Sequence, residues 1–239
     1  MPRMRRPPLK DMVRTPYIRC LMAAAMLGGL VGCAAGPADP TRLRPGEVAE
    51  LFNGRDLTGW KVLTDGYFDQ AGKVHVEDGA LVLGAGNEMT GVQWTGRVLR
   101  DNFRINLEAK RVEGEDFFCG LTFPVGKGYV TLILGGWSGS VVGLSNVDHL
   151  SAVDNNTTRI VEFKKNTWYS VEARVGGGRI RVRLDGQLII DQETTGRNFD
   201  VWPQQEPARP LGITTYATKG AIRDICVERL AEASASISF

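Results

Sequence analysis

The chain of 239 residues is poor in the residues that most often mark a metal or redox centre. It has two histidines and four cysteines, and none of them stands in a CxxC or Cys/His spacing. Structural zinc is therefore not predicted. The chain also lacks an uninterrupted run of about 20 apolar residues, the length that a membrane-spanning helix needs. No basic run occurs after the first 19 residues, so binding of nucleic acid has no electrostatic basis.

The positive charge is concentrated at the start of the chain. Six basic residues and one acid, Asp11, precede a short apolar run from Leu21 to Gly32, which ends in the string Leu-Val-Gly-Cys33. A basic region, a short apolar region and small residues before a cut are typical of a secretory signal. The closing string fits the bacterial lipobox. We therefore predict a lipoprotein signal peptide over 1–32 and lipid attachment at Cys33, which would anchor the protein to the periplasmic or outer-membrane face of a bacterial membrane. The alternative is ordinary cleavage nearby and a soluble secreted protein.

Removal of this leader reverses the sign of the net charge of the chain. It takes away six basic residues and one acidic residue, so the formal net charge falls from +2 to −3. Residues 33–46 are rich in Pro and Gly and favour a flexible tether. Residues 47–231 suit one domain, and 232–239 are expected to be frayed. Cys119 and Cys226 remain, and they either form one disulfide or act as small buried apolar groups.

The remaining sequence is patterned for strands. Segments 103–110, 168–174 and 222–228 alternate apolar and polar residues at period two, which is typical of half-buried strands. Asp78-Gly79 and Asp185-Gly186 each separate two such segments and predict tight hairpins. Segment 129–134 is apolar on both faces and predicts a central strand. No long amphipathic helix is indicated. The predicted fold class is all-β, a two-sheet antiparallel sandwich.

Five strings of this sequence together resemble one bacterial family. They are Leu51–Trp60 (LFNGRDLTGW), Val76–Val82 (VEDGALV), Arg111–Pro124 (RVEGEDFFCGLTFP), Leu134–Trp137 (LGGW) and Gly212–Tyr216 (GITTY). The resemblance is to the 3-keto-disaccharide hydrolase-like family of secreted sugar-active proteins, and it covers the whole of the predicted domain. It implies a concanavalin A-like jelly roll in which one curved sheet offers a concave face to a sugar.

The resemblance also implies a substrate logic. A ketone at C3 of a glucoside makes the proton on C2 acidic, so a base can remove it, the C1 aglycone can leave by β-elimination, and water can add back. Such a site needs one base, a group that stabilises the enolate oxygen, and an acid for the leaving group. Ordinary glycoside hydrolysis would instead need two carboxylates, about 5–5.5 Å apart if retaining and about 6.5–9.5 Å apart if inverting.

Three residues are candidates for catalysis. Glu108 stands two residues before Lys110 on one strand face, so it would be the base, with Lys110 or Arg104 as enolate stabiliser, if that face meets the sugar. If that face points to solvent, these residues are a charged strand surface. Asp116 lies inside the resemblance and next to a strand. His149 is a loop histidine whose titration near neutrality would suit acid–base work.

Other residues are candidates for holding the sugar. Trp137 follows a glycine-rich string and is predicted to be a stacking platform, the alternative being a plug at the end of the sandwich. The remaining substrate-binding candidates, all polar or aromatic, are Asn87, Gln93, Lys110, Asp148, Arg209 and Tyr216. Segment 154–158 carries oxygen ligands of the kind that calcium prefers but lacks EF-hand spacing, so a divalent cation is possible there and no other cofactor is predicted.

The sequence leaves more than one function open. Where many relatives carry a Gly-Asn-Ser-Gly-Ile-type string, this chain has the apolar segment Phe118–Phe123. One interpretation is a membrane-anchored enzyme that cleaves 3-keto-glucosides or related glycosides. The other is a lectin-like carbohydrate-binding module without catalysis, and a structural lipoprotein is a third. The predicted partners are a carbohydrate and, through lipid, a membrane.

Overall fold

The computed structural model describes residues 38–232, so the predicted signal peptide, Cys33 and the tail from 233 lie outside the described residues. Within 38–232 the structure confirms the predicted all-β sandwich. The strands are β1 (Val48–Glu50), β2 (Trp60–Val62), β3 (Val74–Glu77), β4 (Ala80–Leu83), β5 (Met89–Trp94), β6 (Phe103–Glu113), β7 (Cys119–Val125), β8 (Gly128–Gly135), β9 (Val141–Ser145), β10 (Arg159–Ile160), β11 (Trp168–Gly176), β12 (Arg179–Leu184), β13 (Gln187–Glu193), β14 (Gly212–Tyr216) and β15 (Lys219–Arg229). Short 3-10 helices cover Pro40–Arg42, Gly66–Phe68 and Pro203–Ala208, and Gly136–Gly139 forms a tight turn whose central residues have positive φ.

The strands form two antiparallel sheets. Sheet A has the order β13-β12-β11-β6-β15-β4-β3, with β1 paired to β15 as well. Sheet B has the order β10-β9-β8-β7-β14-β5-β2. Strand β8, predicted to be central because it is apolar on both faces, lies between β7 and β9. None of the helices within 38–232 is long and apolar enough to cross a membrane.

Both predicted hairpins are present, and the backbone conformation of their two central residues makes each turn tight. Asp78-Gly79 joins β3 to β4 with φ of 49° and 76°, and Asp185-Gly186 joins β12 to β13 with φ of 49° and 79°. Positive φ at both central residues is the geometry of a type I′ turn, whose twist matches that of the strands it joins. Asp and Gly adopt it at low cost.

The main core lies between the two sheets and follows the period-two pattern. In β6 every second side chain from Phe103 to Arg111 is buried, and the residues between them are partly exposed. The predicted polar set of β6, which includes Glu108 and Lys110, therefore lies on the outer face of sheet A. Apolar residues of β7, β8 and β14 meet this core from sheet B.

The outer face of sheet B is built from small residues and hydroxyl groups. Gly120, Thr122, Thr131 and Thr214 stand on neighbouring strands β7, β8 and β14, and the three threonines are 0% exposed. Thr122 and Thr131 share a hydrogen bond of 2.8 Å between their hydroxyls. The resemblance implies a concave face on one sheet without saying which, and the buried centre of sheet B does not provide it.

Loops and short helices cover this face. The 3-10 helix Gly66–Phe68 brings the Phe68 ring against Gly91, where a Cβ atom would be 2.9 Å from the ring. From the helix Pro203–Ala208, the Gln205 side chain accepts a hydrogen bond of 2.9 Å from Thr214. Small residues are needed on the sheet because these segments approach its backbone closely. What remains available to a ligand is the two ends of sheet B and the outer face of sheet A.

The two cysteines of the domain are buried thiols in different sheets. Cys119 lies in β7 of sheet B and Cys226 in β15 of sheet A, and no disulfide joins them. Burial raises the pKa of the Cys119 thiol to about 12, so this group stays protonated and unreactive. Of the two alternatives that the sequence left open, the structure selects the buried thiols.

Candidate functional site

The candidate residues fall into three groups, two of them at opposite ends of sheet B. At the first end β8 begins at Gly128 and β9 finishes at Ser145. At the second end β8 finishes at Gly135 and β14 finishes at Tyr216. Because β8 has eight residues at about 3.3 Å each, the two ends are about 25 Å apart. One monosaccharide cannot contact both.

A histidine–aspartate pair lies at the first end. His149 Nδ1 is 2.6 Å from Asp200 Oδ2, and the His149 side chain is 78% exposed. Asp200 also accepts hydrogen bonds from the side-chain amides of Asn146, at 2.7 Å, and Asn198, at 2.9 Å. These bonds fix the carboxylate, which in turn holds Nδ1 of the ring. Nε2 of the same ring lies 3.4 Å from the Asn198 side-chain nitrogen, and the ring is otherwise open to solvent.

The backbone beside this pair is held in an unusual conformation. Asp148 and His149 have φ of 52° and 66°, the left-handed region that residues other than glycine rarely adopt. Asp148 accepts hydrogen bonds from the Asn198 backbone, at 2.9 Å, and from Arg197 Nη1, at 2.7 Å. These two hydrogen bonds, the one from the Asn198 backbone having the larger effect, hold the pKa of the Asp148 carboxyl below its usual value. Asp148 thus anchors the loop and orients Arg197.

A cleft of about 310 Å³ opens beside the histidine–aspartate pair. Arg197 and Asn198 belong to its wall as well as to the network just described. Lys127 and Arg179 add two more positive charges to the lining, and Asp101 adds one negative charge. This size is at the lower end of the range typical of small-ligand sites.

Two other candidates, Gln93 and Arg209, also lie toward the first end. The Gln93 side-chain amide donates to the carbonyl of Arg209, and the Arg209 guanidinium lies 4.9 Å from the centre of the Tyr129 ring. Arg100 flanks the same ring at 4.7 Å. Gln93 is therefore occupied in fixing the segment that carries Arg209, and Tyr129 is held by two cations.

At the second end, Trp137 is displayed on a tight turn. Trp137 and Ser138 both have positive φ, 48° and 68°, and the Trp137 side chain is exposed (38%). The turn is anchored from below by Arg111, whose Nη2 donates a 2.7 Å hydrogen bond to the carbonyl of Gly139. A bulky residue with positive φ is strained, so this turn is held in place by its surroundings. Trp137 is not a plug at the end of the sandwich.

Three further candidates share the second end with Trp137. Asp116 lies at the turn, since its Oδ1 would be 3.8 Å from a Cβ atom at Gly136. The backbone N–H of Tyr216 donates to the carbonyl of Phe117, at 3.1 Å, and their rings are 6.0 Å apart. Asn87 is exposed beside the backbone contact between residues 88 and 217. The Asp116 carboxylate accepts from the Phe117 N–H, at 2.7 Å, so it is engaged locally.

The third group lies on the outer face of sheet A. Glu108 accepts two contacts of 2.6 Å from Arg223 on the neighbouring strand β15. Arg223 and Lys110 both lie over the Trp168 ring, 4.2 Å and 4.6 Å from its centre. Glu108 therefore belongs to a charged strand surface, and the enolate stabilisers proposed with it, Lys110 and Arg104, stand on that surface too.

Sequence reasoning missed the residues that give the first end its chemistry. Asp200, Asn198 and Arg197 lie about fifty positions after His149 in an irregular segment, and no motif marks them. The predicted cation segment 154–158 uses its side chains internally: Asn155 Nδ2 donates to three carbonyls and Asp154 accepts from Ser151. Within residues 38–232 no three His, Cys, Asp or Glu side chains are grouped as metal ligands.

Solved structures show the same architecture. The apo Crh5 transglycosylase has a TM-score of 0.52 with 12% identity, over 79% of this chain and 85% of its own. A protein of unknown function with a galectin-like fold, from Bacillus subtilis, has a TM-score of 0.50 with 11% identity, over 73% of this chain and 90% of its own. At such identities the likeness concerns the fold alone. No curated protein matches the chain.

Together the two sheets and their topology define a jelly roll of the lectin and glucanase type. The family follows from the sequence itself: the 3-keto-alpha-glucoside-1,2-lyase-like domain matches residues 47–228. The chain belongs to this family, which confirms the resemblance seen in its five strings. The domain is accordingly a carbohydrate-active one.

Proposed function

We propose that the protein cleaves 3-keto-glucosides or related glycosides by β-elimination, with His149 as the general base. The observation that carries the proposal is the 2.6 Å contact between His149 Nδ1 and Asp200 Oδ2. A carboxylate on Nδ1 favours the tautomer in which Nε2 is free to take a proton, and it stabilises the imidazolium that forms. Family membership supports the substrate class.

The proposed reaction balances with one base. His149 Nε2 takes the proton from C2, the electrons of that C–H bond pass into the C3 ketone as an enolate, and the C1–O bond to the aglycone breaks. The imidazolium then returns its proton to the departing oxygen. Water adds across the new double bond, its oxygen to C1 and a proton to C2, so the net change is hydrolysis.

Arg197 is the group proposed to stabilise the enolate oxygen. One of its nitrogens, Nη1, is held by Asp148 at 2.7 Å, which leaves Nε and Nη2 for a ligand. Its side chain is 47% exposed, so it can reach a bound sugar. A fixed guanidinium close to the developing negative charge lowers the barrier without reorganising at the moment of reaction.

A specific observation favours a second candidate function, carbohydrate binding without turnover. Trp137 is exposed and held with positive φ by a turn that Arg111 anchors. Tyr216, also exposed, stands at the same end of sheet B. Aromatic faces are suitable platforms for the C–H patches of sugars. Loss of sugar binding in Trp137→Ala, with no turnover of any glycoside by the unmodified protein, would favour this function.

The test compares an aryl 3-keto-glucoside with its unoxidised parent, followed by release of the aryl group. We expect release from the keto compound and none from the parent. His149→Gln should lower the rate by about 10²–10⁴, the usual contribution of a general base. Release from both compounds would point to an ordinary glycosidase carboxylate pair instead.

The only other histidine provides the matched control. His75 lies on β3 of sheet A, with Nε2 3.7 Å from Glu77, and has no place in the proposed site. His75→Gln should therefore keep the rate on the keto compound. If His75→Gln and His149→Gln lose activity equally, the loss reflects folding and the role of His149 is not supported.

We also propose that the protein is exported and anchored through lipid on Cys33. The support is the basic leader, the short apolar run and the Leu-Val-Gly-Cys33 string. Cells expressing the full chain should incorporate labelled palmitate into it and retain it in the membrane fraction. Cys33→Ser should abolish both. Equal labelling of the two proteins would contradict lipid attachment at Cys33.

A further inference from the structure

The cleft at the first end of sheet B has a lining rich in cationic donors. Lys127 is exposed there and makes no ion pair within residues 38–232. Arg179 and Arg197 are each held from behind by an aspartate, Asp191 and Asp148. The lining itself contains one acid, Asp101.

Both arginines keep unused donors. Within residues 38–232, Nη1 of Arg179 has no hydrogen bond, because Arg179 bonds Asp191 through Nε and Nη2, and Arg197, proposed above as the enolate stabiliser, bonds Asp148 through Nη1 alone. A guanidinium that is oriented by one carboxylate and still has free N–H groups is suited to a second anion. The ammonium group of Lys127 adds a charge that pairs with no carboxylate within residues 38–232.

Glycines keep the cleft open. At Gly126 an added Cβ would meet no atom within 4 Å, and at Gly178 it would meet only Thr195, at 3.8 Å. Side chains at these two positions would therefore project into free space next to the cations. Their φ values of 55° and 70° also favour glycine. The result is direct access from solvent to the cationic groups.

We infer that this cleft binds the negatively charged group of an acidic sugar, a uronate carboxylate or a sulfate ester. The inference rests on the proposed function, because it names the substrate class of the same site. Asn198 connects the cleft to the histidine–aspartate pair. It lines the cleft, and its side-chain amide is 2.9 Å from Asp200 and 3.4 Å from Nε2 of His149. A sugar whose acidic group enters the cleft would place its ring beside His149.

The test is equilibrium binding of sugars that cannot turn over, so that it does not depend on catalysis. The ligands are methyl glucuronoside, glucose 6-sulfate and methyl glucoside, titrated into the full-length protein at low and high salt. We expect one or both acidic sugars to bind about tenfold more tightly than methyl glucoside, the value of one charge-assisted hydrogen bond. The preference should shrink as salt rises.

Variants locate the site. Lys127→Ala and Arg179→Gln should each weaken binding of the acidic sugar several-fold. Lys164→Ala removes one exposed lysine that also lacks an ion pair within 38–232 and lies outside the cleft lining, and it should have no effect. Equal weakening by all three variants would mean long-range attraction only and would overturn the inference.

Other outcomes separate this inference from the proposed function. Equal affinity for acidic and neutral sugars would overturn the inference even if His149→Gln abolishes turnover. Competition by inorganic sulfate at the same concentration as the acidic sugar would also overturn it, because the cleft would then recognise an ion and not a sugar. A clear acidic preference with no turnover of any keto-glucoside would leave the inference standing and reject the proposed function.

Discussion

Replacing Arg111 by methionine should leave the domain stable but disturb the turn that exposes Trp137. Arg111 is 3% exposed, at a position of β6 where the strand pattern requires a core residue. Its Nε atom is buried without a hydrogen-bond partner, and Glu115 is 3.9 Å away and well exposed. The charge is thus buried with little compensation from an opposite charge.

The contributions can be compared in size. Burial of a cation costs several kcal/mol, and the unpartnered Nε costs about 1–3 kcal/mol. Against this stand one charge-assisted hydrogen bond to Gly139, about 1.5–3 kcal/mol, and stacking over Phe118 at 5.4 Å, about 2 kcal/mol when desolvated. The costs are at least as large as the gains. Arg111→Met, which fills similar volume, should therefore leave the free energy of unfolding unchanged or raise it by about 1 kcal/mol.

Although stability is kept, the display of Trp137 should be lost in Arg111→Met. Without Arg111 the carbonyl of Gly139 loses its donor, and the left-handed conformations of Trp137 and Ser138, each costing about 1–2 kcal/mol, are no longer supported. Urea unfolding measures the stability, and the fluorescence of Trp137, isolated by difference against Trp137→Phe, measures the turn. Arg111→Ala is the control that leaves a cavity and should lose stability. A loss of more than about 3 kcal/mol in Arg111→Met would refute the argument that the charge is poorly compensated.

Three further predictions follow from single contacts. The hydrogen bond with the Thr58 side chain is the largest cause that lowers the pKa of Asp56 to about 2, so NMR should show its carboxyl titrating near pH 2. The contribution of Asp56 to stability should be present above its usual pKa of 3.8 and be lost as pH falls toward 2. Titration near 3.8 would contradict this. Gly91→Val should cost about 1–3 kcal/mol in urea unfolding, because a Cβ atom there would be 2.8 Å from the Thr214 side chain and 2.9 Å from the ring of Phe68 in the covering 3-10 helix. An unchanged midpoint would show that these two side chains yield. Asp200→Ala should cost about 1–3 kcal/mol, since it removes the acceptor of the buried Asn146 side-chain amide, and should lower turnover less than His149→Gln does; a larger loss would make the carboxylate itself the reacting group.

The fold was predictable because its signals are local. The alternation along β6 and the Asp-Gly pairs at 78–79 and 185–186 each depend on a few neighbouring residues, and the structure confirms them. The covering of sheet B was not predictable, because segment 199–211 is irregular and carries no periodic pattern. The one trace of it in the sequence is that β8 is apolar on both faces, as a strand covered from outside must be.

The candidate site was only partly predictable, and the reason is sequence distance. His149 could be singled out by its residue type, but its partner Asp200 lies 51 positions later and meets it only through the fold. Glu108 could be assigned to a strand face from the alternation, yet alternation does not say which face meets a ligand. The structure places Glu108 beside Arg223, on the sheet opposite His149.

The most direct test of the central claim uses an aryl 3-keto-glucoside carrying deuterium at C2. If His149 removes the C2 proton in the rate-limiting chemistry, the deuterated compound should release its aryl group several-fold more slowly than the unlabelled one, and His149→Gln should lower the rate of release from both by about 10²–10⁴. Equal rates for the two compounds, together with release from the unoxidised parent, would contradict elimination and assign cleavage to a different group of the protein.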